Sequence, residues 1–334
     1  AKEPLPENRD AEIESPVIAN DLSNQKVTAI AEDTQGHIWI GTFRGLNKNN
    51  VHDYHQYFCT DDSLGLPDNQ ITHLLRDSKN RFWVGTVNGV CLYTDKDNFR
   101  IIPIEADNKN VRQILEDRNG RIFLSTGFQL YAYHPREEKI TCVLPEICTG
   151  NTFYAQCHIA PDNNLWVMTS TGLRCYDLST LQLKESVALS GYPYYSYLHN
   201  NELWITGNHT LSIFDTRTRS FKPLPQPIAQ NTTLCNADID YIHPYGNNGL
   251  LLNTARHGMF YYNPATGSVT RQDENGFPFE MPRFRISRMF TDSQQNLWIG
   301  SVDQGYTVCY HYKERFNNDN LSLIHILTLP TNRE

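Results

Sequence analysis

Seven times along the chain a short apolar strand runs into a small-residue turn, and five of the seven carry Trp at the same place. The units read HIWIGTFRGL (37–46), RFWVGTVNGV (81–90), RIFLSTGFQL (121–130), LWVMTSTGL (165–173), ELWITGNHTL (202–211), LLLNTARHGM (250–259) and NLWIGSVDQGY (296–306). Their anchors, Trp39, Trp83, Phe123, Trp166, Trp204, Leu251 and Trp298, stand 38 to 47 residues apart. A strand-patterned period of that size points to the blades of a seven-bladed, all-β propeller.

Each unit resolves into four antiparallel strands. Upstream of the Trp strand lies a second apolar segment joined by a tight polar turn, as in VTAIAEDTQGHIWIGT, so the pair reads as a β-hairpin. A third strand is expected at 90–94, 129–134, 173–177, 211–215, 259–263 and 307–312, and a more variable fourth follows, for example at 99–104 and 139–143. Strands buried on both faces between blades are apolar at nearly every position, which is how HIWIG and RFWVG read. The Trp residues recur at one fixed strand position, and this assigns them to packing between blades rather than to ligand stacking. The recurrent Asp of the hairpin turns reads as turn chemistry, since no D-x-D-x-D-G calcium loop is present.

Composition removes several function classes. The 334 residues exceed an ordinary single core, but a propeller spreads its core between neighbouring blades, so one closed ring suffices. Lys and Arg number 29 against 37 Asp and Glu, a net charge of −8, and no basic run offers the phosphate-neutralising stripe that nucleic acid requires. No stretch approaches the roughly 18 to 20 apolar residues of a membrane span, and residues 1–12 lack the apolar centre of a signal peptide. Taken alone, this reads as a cytosolic chain or a mature or trimmed one. Eight cysteines form no C-x-x-C pair, so zinc is not expected; their even number permits disulfides without requiring them. No metal or cofactor is implied.

The ends stand apart from the repeat. Residues 1–12 read as a lead-in and 13–320 as the propeller. The segment 13–19 is expected to supply an outer strand to the last blade, because an unpaired edge is a liability. Residues 321–334 (LSLIHILTLPTNRE) abandon the repeat and read as foreign sequence or the start of a further domain.

The recurring pattern, an apolar strand, then D-x-x-[GN], then [IFL]-W-[IV]-G-T-x-x-G-[LV], resembles the two-component regulator propeller repeat. The segments EDTQGHIWIGTFRGL (32–46) and LGLPDNQITHLLRDSKNRFWVGTVNGV (64–90) match best, and KERFNNDN (313–320) resembles the family's passage from a first propeller into a second. The resemblance covers about residues 20 to 320, strongly in blades one, two and seven and weakly in three, five and six. It implies the periplasmic sensor region of a hybrid two-component system of the kind by which gut Bacteroidetes detect glycans. Full-length members add a second propeller, an immunoglobulin-like domain, a membrane helix, and kinase, receiver and DNA-binding regions, which are absent from this sequence. The implied partners are an oligosaccharide, those further domains and a second copy of the chain.

In a four-stranded meander the turn between strands two and three opens on the same face as the loop leading into the next blade, and that face usually carries function. The candidate ligand-binding residues are Arg44, Asn88, Gln129, Tyr194, Tyr195, Arg256, His257, Arg283 and Gln304. They are polar or aromatic and unlike one another, as suits a sugar whose apolar faces stack while its hydroxyls find donors and acceptors. Catalysis has less support. Asp61, Asp62, Asp273, Glu274, Glu280 and Asp303 could contribute a carboxylate pair, but G-x-S-x-G, H-E-x-x-H and a phosphate-binding Gly loop are all missing, and no catalytic residue is assigned. His52 and His55 point to opposite faces of a strand and cannot share a metal. Two other readings stay open: a scaffold for dimerisation or protein contact, and a polysaccharide lyase or glycoside hydrolase.

Overall fold

The computed structural model describes residues 22–50, 53–61, 65–148 and 155–311. They form seven sheets around an axis, a seven-bladed β-propeller whose blades are antiparallel meanders in chain order. Six blades show four strands; blade seven shows three among the described residues. The segments 1–12, 13–19 and 321–334 lie outside the described residues, as do His52, Asp62 and 313–320.

The inner strands are Val27–Glu32, Ile71–Arg76, Gln113–Glu116, Gln156–Ile159, Tyr195–His199, Ile239–Tyr245 and Ile286–Thr291. The second strands carry the anchors, and Ile38–Thr42, Phe82–Thr86 and Leu297–Ser301 are buried at every position. All five Trp side chains and Phe123 and Leu251 lie in the core. Third strands fall within two or three residues of expectation, for example Gly89–Tyr93, Met259–Asn263 and Tyr306–Cys309.

The hairpin Asp does more than close its turn. In blade one, Asp33 Oδ1 accepts the N–H groups of Gln35 and His37, while Oδ2 accepts the Trp39 indole N–H at 2.9 Å. Asp77 and Asp292 repeat the arrangement with Trp83 and Trp298. Burial works against the Asp77 charge, but the Trp83 indole and the Arg81 backbone and guanidinium outweigh it and hold the carboxyl below its usual value. Blades four and five lack Asp at that place, and the indole N–H groups of Trp166 and Trp204 are buried without a partner.

Blades one and seven close the ring. Ser293 of blade seven donates its N–H and hydroxyl to Glu32 of blade one, at 2.7 and 2.6 Å. The Gly305 N–H donates to the Gln25 carbonyl. Leu22, Val27, Ile40, Trp298 and Tyr306 share one buried cluster across this seam. The linker between blades five and six holds two single helical turns, Gln226–Ala229 and Thr232–Cys235, which bury Ile228 and Leu234. All eight cysteines are free, so the described fold holds without a disulfide.

Candidate functional site

The Gly-Thr ending of the Trp strand builds the face on which the candidate residues sit. The Thr42 hydroxyl accepts the Arg44 N–H and donates to the Gly45 carbonyl, and Thr86 does the same for Asn88 and Gly89. Such a hydroxyl cap fixes a tight turn locally. Gly45 and Gly89 take φ of 107° and 119°, a region that L side chains rarely adopt. Their N–H groups then reach the incoming linkers, at the Asn69 and Lys109 carbonyls. Blade seven makes the same link through Gly305 to Gln25, and the residue after Thr or Ser reaches back to the linker of its own blade, as Ala255 does to Asp238 and Val302 to Arg285. Turns and linkers thus form one continuous loop face.

Arg44, Asn88, Arg256, His257, Arg283 and Gln304 are exposed on this face. For Arg44, Asn88, His257 and Gln304 it is the backbone N–H that engages the turn hydroxyl, leaving the side chain outward. Gln129 is half-buried and its Oε1 accepts the Tyr131 hydroxyl at 2.7 Å. Tyr195 stands in the wall rather than on the rim. Its hydroxyl accepts the Ile242 N–H at 3.0 Å and donates to the Ile242 carbonyl at 3.3 Å, tying blade five to blade six. Strand alternation explains the difference from Tyr194: adjacent residues face opposite ways.

Tyr194 is gathered into a polar group. Burial, and then the charges of Asp238 and Asp240, push its phenol up to about 12. Burial also raises Asp240, against the opposing hydrogen bond from Asn253 Nδ2 at 2.8 Å and the charge of Arg285. Asp238 Oδ1 accepts the His209 N–H at 3.0 Å. Sequence reasoning did not single out Asp238, Asp240 or Asn253. The alternation D-I-D-Y-I-H at the start of blade six is the signal that could have found them, because Ile239 and Ile242 are buried and the acids stand between them and the linker. Among the described residues no cluster of three or more His, Cys, Asp or Glu is placed to hold a metal.

Below the loop face the inner strands surround the channel. One ring of side chains lies at the same register in every blade: Ala29, His73, Gln113, Gln156, Tyr195, Tyr241 and Arg288, opposite Gly41, Gly85, Ser125, Met168, Thr206, Asn253 and Gly300. The next ring, two residues on and opposite the anchors, is Ala31, Leu75, Leu115, His158, Tyr197, His243 and Phe290. Burial pushes His158 and His243 down to about 4; burial and the Arg288 charge do the same to His73.

A closed ring of seven meanders, with Asp-capped hairpins and Thr-capped turns, defines a seven-bladed β-propeller. Two segments, 21–44 and 65–88, match the two component regulator propeller family. No curated protein matches the sequence. Among solved structures, the extracellular domain of a Bacteroides thetaiotaomicron protein described as the hybrid two component system BT3049 aligns with a TM-score of 0.69 and 20% identity, covering 86% of this chain and 40% of its own. The corresponding domain of BT4673, described as a one component and as a hybrid two component system, gives 0.67 and 21%, covering 90% and 40%. Virginiamycin B lyase of Staphylococcus aureus gives 0.64 and 14%, covering 88% and 97%. The chain therefore has the propeller fold of those extracellular domains and spans about 40% of their length.

Proposed function

We propose that the chain is the ligand-facing propeller in the sensor region of a hybrid two-component regulator. In this reading the region lies in the periplasm and detects an oligosaccharide. A change in packing or dimer geometry then passes across the membrane to control glycan-utilisation genes. The observation that carries the reading is the make-up of the loop face. Phe43, Phe128 and Tyr192 are 45%, 44% and 77% exposed there, and Arg44, Asn88 and Arg256 are exposed on the same face. A face that carries both exposed rings and polar side chains suits sugars, whose apolar faces stack and whose hydroxyls need donors and acceptors. The repeats and the likeness to extracellular domains of two-component systems support the sensory role. A second propeller, a membrane helix and a kinase are the expected neighbours in the full-length protein, and the greater length of the matched extracellular domains is in keeping with the second propeller.

Calorimetric titration against a panel of plant and host oligosaccharides tests the reading. Binding without turnover, weakened at least about tenfold by Phe128→Ala with Tyr192→Ala, is the expected result. Turnover would make the protein an enzyme and overturn it. A second reading, a scaffold for dimerisation, is favoured by Leu183 and Phe221, which are 52% and 49% exposed on the outer strands of blades four and five. Silence across the panel, with dimers in sedimentation that Leu183→Asp and Phe221→Asp dissolve, would support it instead.

A further inference from the structure

Arg288 projects into the central channel. It is exposed, stands on the inner strand of blade seven in the first channel ring, and donates only to its neighbour, the Ser287 carbonyl, at 3.0 Å. Its charge acts on His73 of blade two and on Tyr195 of blade five. Those residues lie two blades away in opposite directions around the ring, and a group close to both must reach toward the axis.

Neither channel ring contains Asp or Glu, and no ion pair engages Arg288 among the described residues. Asp240, nearer the loop face, is engaged by Asn253 and faces Arg285. Other polar groups of the two rings are committed. Tyr195 and Tyr241 hold the next blade's backbone, while His158 and His243 bond Ser196 and Thr291. An exposed guanidinium among neutral side chains, with no carboxylate of the described residues paired to it, keeps its whole charge open to an anion from outside. Its planar fork matches the two oxygens of a carboxylate.

We propose that the channel holds a carboxylate against the Arg288 guanidinium, and that the saccharide read by the loop face is accordingly an acidic one bearing a uronate. The first half stands on the channel alone. The second rests on the glycan reading of the loop face. Arg256, Arg283 and Arg285 are exposed on blade six and the linker that follows it, among the exposed Asp240, Asp273, Glu274, Glu280 and Asp303.

The test uses the 334-residue chain, with acetate, glucuronate, an oligogalacturonide and a neutral oligosaccharide of equal length as probes. Histidine NMR follows the His73 imidazole while calorimetry follows affinity. Expected are an oligogalacturonide affinity at least about tenfold above the neutral one, loss of that difference in Arg288→Met, partial recovery in Arg288→Lys, and a rise in the His73 titration midpoint when carboxylate binds. A His73 response to acetate or glucuronate with no oligosaccharide binding would uphold the channel site and sink the glycan reading. Equal binding of acidic and neutral oligosaccharides, unchanged in Arg288→Met, would keep the glycan reading and overturn the channel site. The wild-type NMR titration decides even where a variant folds poorly: a His73 signal indifferent to every carboxylate overturns the proposal.

Discussion

At the register two residues past each anchor, blades seven, one and two meet their neighbours by steric fit, whereas the seams from blade three to blade seven are held there by hydrogen-bonded clasps; at the far end of the inner strand, Glu32 and Glu116 bond Ser293 and Ser78 across the first arc as well. In the first arc, strand two carries Gly41, Gly85 or Gly300, and the next blade presses onto it. A Cβ at Gly41 would stand 2.5 Å from Ile71 Cγ2, and one at Gly300 would stand 2.6 Å from Val27 Cγ1. In the second arc Ser125, Met168, Thr206 and Asn253 replace that glycine. There the inner strand instead reaches across with a polar side chain. Gln113 accepts the Cys157 N–H and donates to its carbonyl, Gln156 accepts the Ser196 N–H, and Tyr195 and Tyr241 each engage both backbone groups of Ile242 and Met289. One fold thus seals its seams in two ways, and each uses the space that the other lacks. Where the backbones come close no side chain fits, and where they stand apart an amide or phenol fills the gap and satisfies the polar groups.

The largest effect that could break this contrast is expected at Gly41. Gly41→Val should cost about 3 kcal/mol or more, because backbone and Ile71 cannot both yield, while the volume-conserving Met168→Leu at the matching place should cost under about 1.5 kcal/mol. Equal costs in urea denaturation would erase the distinction between the arcs. Next comes Tyr241→Phe, which leaves the Met289 N–H and carbonyl without their clasp and should cost about 1 to 3 kcal/mol. A cost near zero would show that the second arc rests on apolar packing alone. The last test concerns acid. His158 and His243 serve the clasped arc and His73 the other, and all three titrate near 4 in the folded protein against the usual 6.5. The unfolded chain therefore takes up protons first. Stability is fully present above pH 6.5 and falls as the pH drops from 6.5 to 4. His158→Gln with His243→Gln should flatten that fall; a pH profile unchanged by the pair would remove the histidines as its cause.

Legibility in the sequence follows the same division. The motif W-[IV]-G-T is plain in blades one and two, and nearly so in seven, because close approach and a capped turn admit few residue types at fixed places. The clasped blades keep the period but blur the motif, since Gln and Tyr reach the same backbone groups from one register. Tyr195 read as a rim residue because GYPYYSY is a run of aromatics with no visible strand start. The structure begins the strand at Tyr195, and alternation sends Tyr194 and Tyr195 to opposite sides. The Asp of the hairpin turns was legible as a cap; its second oxygen on the Trp indole was not, because that bond spans two strands. The exposed rim, Arg44, Asn88, Arg256, His257, Arg283 and Gln304, was readable as positions just past each Thr or in the linkers.

The sequence by itself determined the ring: period, blade number, strand order and the loop face all follow from local signals repeated seven times. Only the tertiary structure decided which side chains share the channel, that Arg288 stands there without a paired carboxylate among the described residues, and that the charges of Asp238 and Asp240 act on Tyr194. The physical reason is range. Strand patterning and turn capping are settled between residues a few positions apart, whereas the channel joins residues from different blades whose proximity exists only once the ring has closed.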